Sequence, residues 1–525
     1  MDDNTNGGSA ETPSREPGPT PDGDDNGTDG PERVDRGDHR PGGPWRERVR
    51  LGPGGLAYTP GQVIVPAEHE DRATRLLELY ASGPDIRQER NRDIDREESR
   101  DGEHIRFSGL PQVLRAVQLL RQAGIEAQPN HVLFATGCCP PHPASRGRDG
   151  AYRRTYRDAG TKAEPFYGDP FYGDPFYGDP FYGDAGGGGC CCCGRGTMAA
   201  PFYGDPFYGD PFYGDPFYGD PFYGDAPGNP AVAGTHPSGR RPSSARPADP
   251  QAAPAADATD FDRVRIAILD TGWARQKAPA KPATLHDHGG DVPDEDGDRF
   301  LDPAAGHGTF IAGVIEQLAP GCSLELFAPL SGYGDGDEWT IAHILDELAQ
   351  RPEDGGKPHE LLPHLVNLSF GGYSPYGMAV LARPIAKLQD RGVVIVSSAG
   401  NDATCVPTVP AVMPGVIGVA ALDENGDPAP FTNYGPWVRA CTFGQDVVSW
   451  FFDGFDGPEQ PVDGGRDPDS FEGWARWSGT SFAAPRLVAR LAAEIAGGAS
   501  GHEAVARLID DPDLERKPLL GTHVP

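Results

Sequence analysis

Nucleophilic and acid–base chemistry draws on carboxylates, imidazoles, carboxamides and hydroxyls, and in this sequence one of each sits inside a short block of small residues. Asp270 lies in Leu269-Asp270-Thr271-Gly272, and His307 in Gly306-His307-Gly308-Thr309. Asn401 follows Ala399-Gly400, and Ser481 lies in Gly479-Thr480-Ser481-Phe482-Ala483-Ala484-Pro485. The two alanines favour a helix, and proline is tolerated in a helix's first turn. Ser481 is therefore expected at a helix start, facing the end that carries positive partial charge. A serine there is ordinarily a cap, a lone histidine is ordinarily structural, and Asn401-Asp402 is ordinarily a turn. The glycines around His307 are expected to leave room for a substrate. Each block alone says little; together they point to one site.

Those blocks need elements to hold them. Val264 to Leu269 is a nearly continuous apolar run, the pattern of a parallel strand covered on both faces. It places Asp270 at its carboxyl end, where open α/β sheets put their sites. Further strand runs are Cys322 to Phe327, Leu365 to Phe370, Val393 to Ser397 and Val416 to Ala420. Helices are predicted at Thr309 to Leu318, Glu338 to Ala349 and Met378 to Asp390. This alternation predicts an α/β domain over 261–510 built on a doubly wound, mostly parallel sheet, with 511–525 as a C-terminal tail.

Residues 45–135 read as a second folded unit. Gln62 to Val65 is a short strand, Glu68 to Tyr80 carries Ala73, Leu76, Leu77 and Tyr80 on one helical face, and His104 to Phe107 is a strand. Leu110 to Ala123 repeats the helical spacing until Gly124, and His131 to Phe134 closes as a strand. With a weakly marked strand near Ile86, the order is βαββαβ, a small ferredoxin-like α+β sandwich. Residues 1–44 read as a disordered, acidic, Gly/Pro-rich tail. Residues 136–260 are a low-complexity, disordered linker, in which Pro-Phe-Tyr-Gly-Asp occurs four times in 165–184 and five times in 201–225. A five-residue period with Pro and Gly in every unit sustains neither a helix nor a strand ladder. The repeats are either a spacer or, with eighteen evenly spaced aromatic rings, a multivalent sticker for a partner.

The chain has 525 residues, of which 72 are Gly and 56 Pro, enough for several domains beside long unfolded stretches. A formal charge of −32 argues against nucleic acid or an anionic membrane as a partner. No apolar run approaches the roughly 20 residues that span a bilayer. Met1 to Pro44 has no segment like a signal peptide, so the chain as written is expected in the cytoplasm, or secreted if its start is miscalled. The nine cysteines (Cys138-Cys139, Cys190 to Cys193, Cys322, Cys405 and Cys441) lack the spacing of a disulfide framework or a zinc site and read as reduced thiols. Asp291 to Asp298 is an acidic run without the bidentate glutamate of an EF-hand, and reads as a solvated loop rather than a calcium site. No metal and no cofactor is expected.

The four blocks resemble the signature blocks of the subtilisin-like serine peptidases (subtilases), in that family's order of Asp, then His, then Ser, over about 261–495. More weakly, 45–135 is similar to the family's inhibitory propeptide. The resemblance implies a serine endopeptidase made as a self-processing zymogen. Ser481 would attack the scissile carbonyl, His307 would take and return the proton, Asp270 would hold the imidazole, and Asn401 would donate to the oxyanion. It also implies that a polypeptide substrate lies extended along Ser369-Phe370-Gly371, with Ser398, Ala399 and Gly400 helping to line an open specificity pocket. The chain's own N-terminal domain would be its inhibitor, although 136–260 separates two parts that relatives join closely. The competing reading is an interaction or scaffold protein whose repeats bind a partner while the peptidase domain is secondary or inactive.

Overall fold

The computed structural model describes residues 48–52, 55–82, 94–135, 242–244, 261–274, 281–295, 297, 301–456, 460–462, 465–467 and 470–525. The tail 1–44, the strand expected near Ile86, both repeat arrays, Cys138-Cys139 and Cys190 to Cys193 lie outside the described residues.

The N-terminal lobe runs through β1 (Ala57–Pro66), α1 (Glu70–Ala81), β2 (Asp95–Glu98), β3 (His104–Ser108), α2 (Val113–Gln122) and β4 (Gln128–Ala135). Ala73 and Leu77 of α1 and Val113, Val117 and Leu120 of α2 share a core with Val63, Val65, Ile105 and Phe107 of the sheet. The helix expected from Leu110 begins at Val113, because Gln112 takes a left-handed conformation (φ 48) that an α-helix of L-residues does not continue. β2 carries no apolar residue and is exposed throughout. It is a strand only because its main chain pairs with β3, from Asp95 opposite Ser108 to Glu98 opposite Ile105. The pairing order is β2-β3-β1-β4, antiparallel throughout.

The larger lobe follows with β5 (Arg265–Leu269), α3 (His307–Leu318), β6 (Ser323–Phe327), β7 (Asp335–Asp337), α4 (Glu338–Ala349), β8 (Leu365–Leu368), β9 (Phe370–Gly371), α5 (Ala379–Asp390), β10 (Val394–Ser398), β11 (Ile417–Leu422), β12 (Ala440–Phe443) and α6 (Thr480–Ala496). Its central sheet has the order β6-β5-β8-β10-β11-β12, with every one of these pairs parallel. The winding reverses between β5 and β8. The crevice beyond the carboxyl ends at such a reversal is where open α/β sheets hold ligands, and Asp270 follows β5 while Ser369 follows β8. Residues 511–525, expected as a tail, instead complete the sheet. Gly521–His523 pairs with β12, and Leu520, Thr522 and Val524 are buried there on alternate positions.

One strand, β4, runs from the N-terminal lobe into the larger one. The first half of β4 pairs with β1. Its second half runs between β7 and β9, with Phe134 opposite Asp335 on one edge and Gly371 on the other, and Ala135 opposite Phe370. Ala135 N donates to Gly334 O at 2.9 Å. Leu133 and Ala135 belong to the core of the larger lobe, and Ile64 packs with Trp339, Ala342 and Val380. Around this apolar contact lie ion pairs of Arg48 with Asp335 (2.9 Å), Arg383 with Asp101 (3.1 Å) and Glu103 (2.6 Å), and Arg100 with Glu347 (2.9 Å).

Candidate active site

The strand β5 delivers Asp270 fully buried at its carboxyl end. Oδ1 of Asp270 accepts the Thr271 N–H at 2.9 Å and meets Nδ1 of His307, also fully buried, at 2.7 Å. With the carboxylate as acceptor, Nδ1 is the donor, which leaves Nε2 as the ring's free lone pair when the imidazole is neutral. That Nε2 is buried and has no hydrogen-bond partner among the described residues. The imidazole is wedged against Trp477 (5.4 Å, edge-on) and Phe482 (5.3 Å).

The glycines flanking His307 do not leave room for a substrate. A Cβ on Gly306, which has a φ of +81°, would lie 2.3 Å from the Phe451 ring. One on Gly308 would lie 2.7 Å from the Gly272 carbonyl and 3.3 Å from Cβ of Asp270. Both are small so that α3 can start hard against β5, which is what brings His307 to Asp270.

Asp291 corrects the reading of the acidic run as a solvated loop. It is 3% exposed, and its Oδ2 accepts from Oγ1 of Thr271 at 2.6 Å and from the Gly306 N–H at 2.7 Å. Oγ1 of Thr271 in turn accepts the Gly308 N–H at 3.0 Å, so Asp291 ties the Asp270 block to the His307 block. Burial raises its pKa well above the ordinary carboxylate value, aided by the charges of Asp270 and Glu295 and opposed by those two hydrogen bonds. No spacing rule marks this residue: the sequence shows only one more acid in an acidic stretch.

Ser481 is the second residue of α6 and fully buried. Pro485 lies inside α6 rather than in its first turn as expected. Its missing N–H deprives the Ser481 carbonyl of its helical partner, and Oγ of Ser369 donates to that carbonyl instead, at 2.9 Å. In return Oγ of Ser481 donates to the Ser369 carbonyl at 3.1 Å. Ser369 also accepts from Nδ2 of Asn367 (2.9 Å), so its side chain serves the end of β8 and the start of α6.

Asn401 is fixed through its carbonyl. Oδ1 accepts from both the N–H and the hydroxyl of Thr480, each at 2.9 Å, while Nδ2 is buried without a hydrogen-bond partner among the described residues. Its neighbours hold it firmly. Gly400 N donates to Oγ1 of Thr480 at 3.1 Å. Gly400 has a φ of +104°, and a Cβ there would lie 2.3 Å from Nδ2 of Asn433. That fully buried asparagine, which no motif flagged, accepts from Asp402 N (2.9 Å) and Thr404 N (3.2 Å) and donates to Ala399 O (3.0 Å). Ser398 and Ala399 are fully buried, and Gly371 lies opposite Phe134 of β4.

The structure thus pairs Asp270 with His307, Asn401 with Thr480, and Ser369 with Ser481, and Phe482 carries the contact from the Ser481 helix to the His307 ring. Among the described residues no group of three or more His, Cys, Asp or Glu side chains is arranged to hold a metal ion.

Residues 262–505 match the model of the subtilase family. A probable subtilase-type serine protease of Deinococcus radiodurans is 33% identical over 197 residues, 36% of this chain and 25% of that protein. A thermostable alkaline protease of Halalkalibacterium halodurans is 29% identical over 202 residues, 36% of this chain and 49% of that protein. Subtilisin Savinase of Lederbergia lenta is 29% identical over 199 residues, 36% of this chain and 66% of that protein. The chain therefore spans between 25% and 66% of the length of these curated relatives. Through residues 262–505 the chain is similar to the subtilase family.

Proposed function

We propose that the protein is a serine endopeptidase that hydrolyses polypeptides through an acyl-enzyme and is made as a self-processing zymogen. The observation that carries this reading is the fully buried pair of His307 and Asp270 at 2.7 Å, whose Nε2 is left open where α6 begins. In the mechanism, Ser481 Oγ turns from the Ser369 carbonyl to His307, gives up its proton to Nε2 and attacks the scissile carbonyl. His307 then protonates the leaving amine, and Asp270 holds the tautomer and stabilises the imidazolium. The amide N–H groups of Asn401 donate to the oxyanion. A substrate strand runs along Ser369-Phe370-Gly371, with Ser398, Ala399 and Gly400 beside it.

The N-terminal lobe is proposed as the inhibitor. Support comes from β4, whose end lies between β7 and β9 as an extended main chain, the form in which a peptide joins two sheet edges. Residues 136–260 would tether the lobe and be cut. Effective concentration falls only gradually with the length of a tether, so the lobe is proposed to inhibit within one chain. Fluorophosphonate labelling and intact-mass measurement of the full-length wild type and Ser481→Ala test both parts. The wild type is expected to take up the label and to shorten by a cut between about 136 and 260, while Ser481→Ala does neither. Labelling that persists in Ser481→Ala sinks the nucleophile assignment. A wild type that hydrolyses peptides while staying whole sinks the zymogen.

A further inference from the structure

Glu338, the first residue of α4, is fully buried, and a carboxylate is almost never so unless it is partnered. Oε1 finds its partner within the larger lobe, the Leu381 N–H at 3.2 Å. Oε2 finds both of its partners on β4: Nδ1 of His131 at 2.6 Å and Nε2 of Gln128 at 2.8 Å. The other nitrogen of His131, also fully buried, meets Oγ of Ser374 at 2.6 Å.

In a strand, alternate side chains share a face. His131, Leu133 and Ala135 therefore face the same way, and Leu133 and Ala135 are seated in the core of the larger lobe. Gly372 keeps that seat open, since a Cβ there would lie 3.0 Å from Cδ2 of Leu133. The larger lobe thus presents to the strand between β7 and β9 a small seat, an aliphatic seat and, two residues further back, an acidic acceptor. Without a donor in that last position, Oε2 of Glu338 would keep the Gln128 amide and lose its shorter contact, which is costly for a buried charged group.

Resting on the peptidase reading above, we infer that Glu338 and Ser374 form a specificity subsite. It selects an imidazole or cationic side chain four residues before the substrate residue that lies opposite Phe370. The substrates of this site are extended polypeptides with the alternation His (or Lys or Arg), aliphatic, small. β4 is the chain's own copy of that pattern.

The test has two arms. In the first, wild-type protein produced as the full chain and left to process itself, and its Glu338→Gln variant prepared in the same way, hydrolyse two peptides. One is Asn-His-Val-Leu-Phe-Ala-Thr-Gly, copied from 130–137, and the other has leucine in place of the histidine. Glutamine keeps an acceptor for the Leu381 N–H and places an NH2 donor where Oε2 accepted from His131, so it removes both the charge and that acceptor. One charge-assisted hydrogen bond corresponds to about tenfold, so the wild type is expected to favour the histidine peptide by about that factor in kcat/KM. Glu338→Gln should bring the ratio near one by losing only the histidine peptide. Equal rates on both peptides in the wild type overturn the subsite.

The second arm needs no hydrolysis. In full-length Ser481→Ala, hydrogen exchange at the Leu133 and Ala135 amides should speed up about tenfold on adding either His131→Leu or Glu338→Gln. Unchanged exchange overturns the subsite. A wild type that cleaves neither peptide and takes up no fluorophosphonate refutes the peptidase reading instead, and the exchange arm then decides alone whether Glu338 selects its strand.

Discussion

At the residue scale, Asn401 separates holding from donating. Its carbonyl is committed to Thr480, and its amide nitrogen is buried and open. Asn401→Ala removes both functions, whereas Asn401→Asp keeps an oxygen for Thr480 and removes the donor. On the peptidase reading proposed above, both variants are expected to lower kcat by about a hundredfold to a thousandfold, the usual loss for one oxyanion donor, with KM little changed. Asn401→Asp keeps the Thr480 bonds but leaves a charged oxygen buried where Nδ2 has no partner among the described residues, so its Tm should fall below that of the wild type. A large rise in KM with kcat intact would make Asn401 a cleft residue only. How much of this site the sequence displays depends on how each residue acts. Asp270, His307, Asn401 and Ser481 are visible because each reactive type interrupts a block of small residues. Asp291 and Asn433 are not, because their work is to satisfy main-chain N–H groups that only the folded chain brings to them.

Elements fared according to how they are held. α3, α4 and α5 lie within two residues of their expected bounds, because a buried face repeats every turn of the helix. β2 left no trace in the sequence, because four charged residues form a strand only through their partner's ladder. One element boundary carries a pH dependence. His364, just before β8, accepts the Arg265 N–H on Nδ1 at 3.0 Å, which requires that nitrogen to be unprotonated. Burial, with the charges of Arg265 and Arg263, lowers its pKa to about 4. In the unfolded chain the ring titrates near 6.5, so the unfolded state binds the extra proton first. The stability that His364 confers is therefore complete above about pH 6.5 and is lost as the pH falls from there towards 4. Discounted for partial exposure, it amounts to about 2 kcal/mol. Between pH 7 and pH 5, urea denaturation should show the wild type losing about 1 kcal/mol more than His364→Asn, whose side-chain oxygen accepts the same N–H at either pH. Parallel losses would show that the ring does not control this step.

For the molecule as a whole, the joint between the lobes combines apolar burial with charge. Lys387 reaches both Asp346 (2.6 Å) and Asp101 (3.1 Å). Against the desolvation that raises it, hydrogen bonds from Ser99 and Lys387 draw the Asp101 carboxyl down to about 2. Exposed pairs of this kind contribute little each, so the docking strength is expected to reside in Ile64, which is 1% exposed against Trp339, Ala342 and Val380. Ile64→Ala should cost about 2–4 kcal/mol. In calorimetry of full-length Ser481→Ala, it should split the melting of 48–135 from that of 261–525 into an earlier transition. A single unshifted transition would mean that the charged rim, not the apolar contact, holds the lobes together. The slot between β7 and β9, roughly 9–10 Å from edge to edge, grips a strand by both of its sides. A strand held in this way cannot creep along by one residue, because its inward and outward side chains would change places. Its travel is quantised in steps of two, so the slot holds β4 in a frame, and on the peptidase reading proposed above a deletion of one residue upstream in a substrate would move the cut to a different bond.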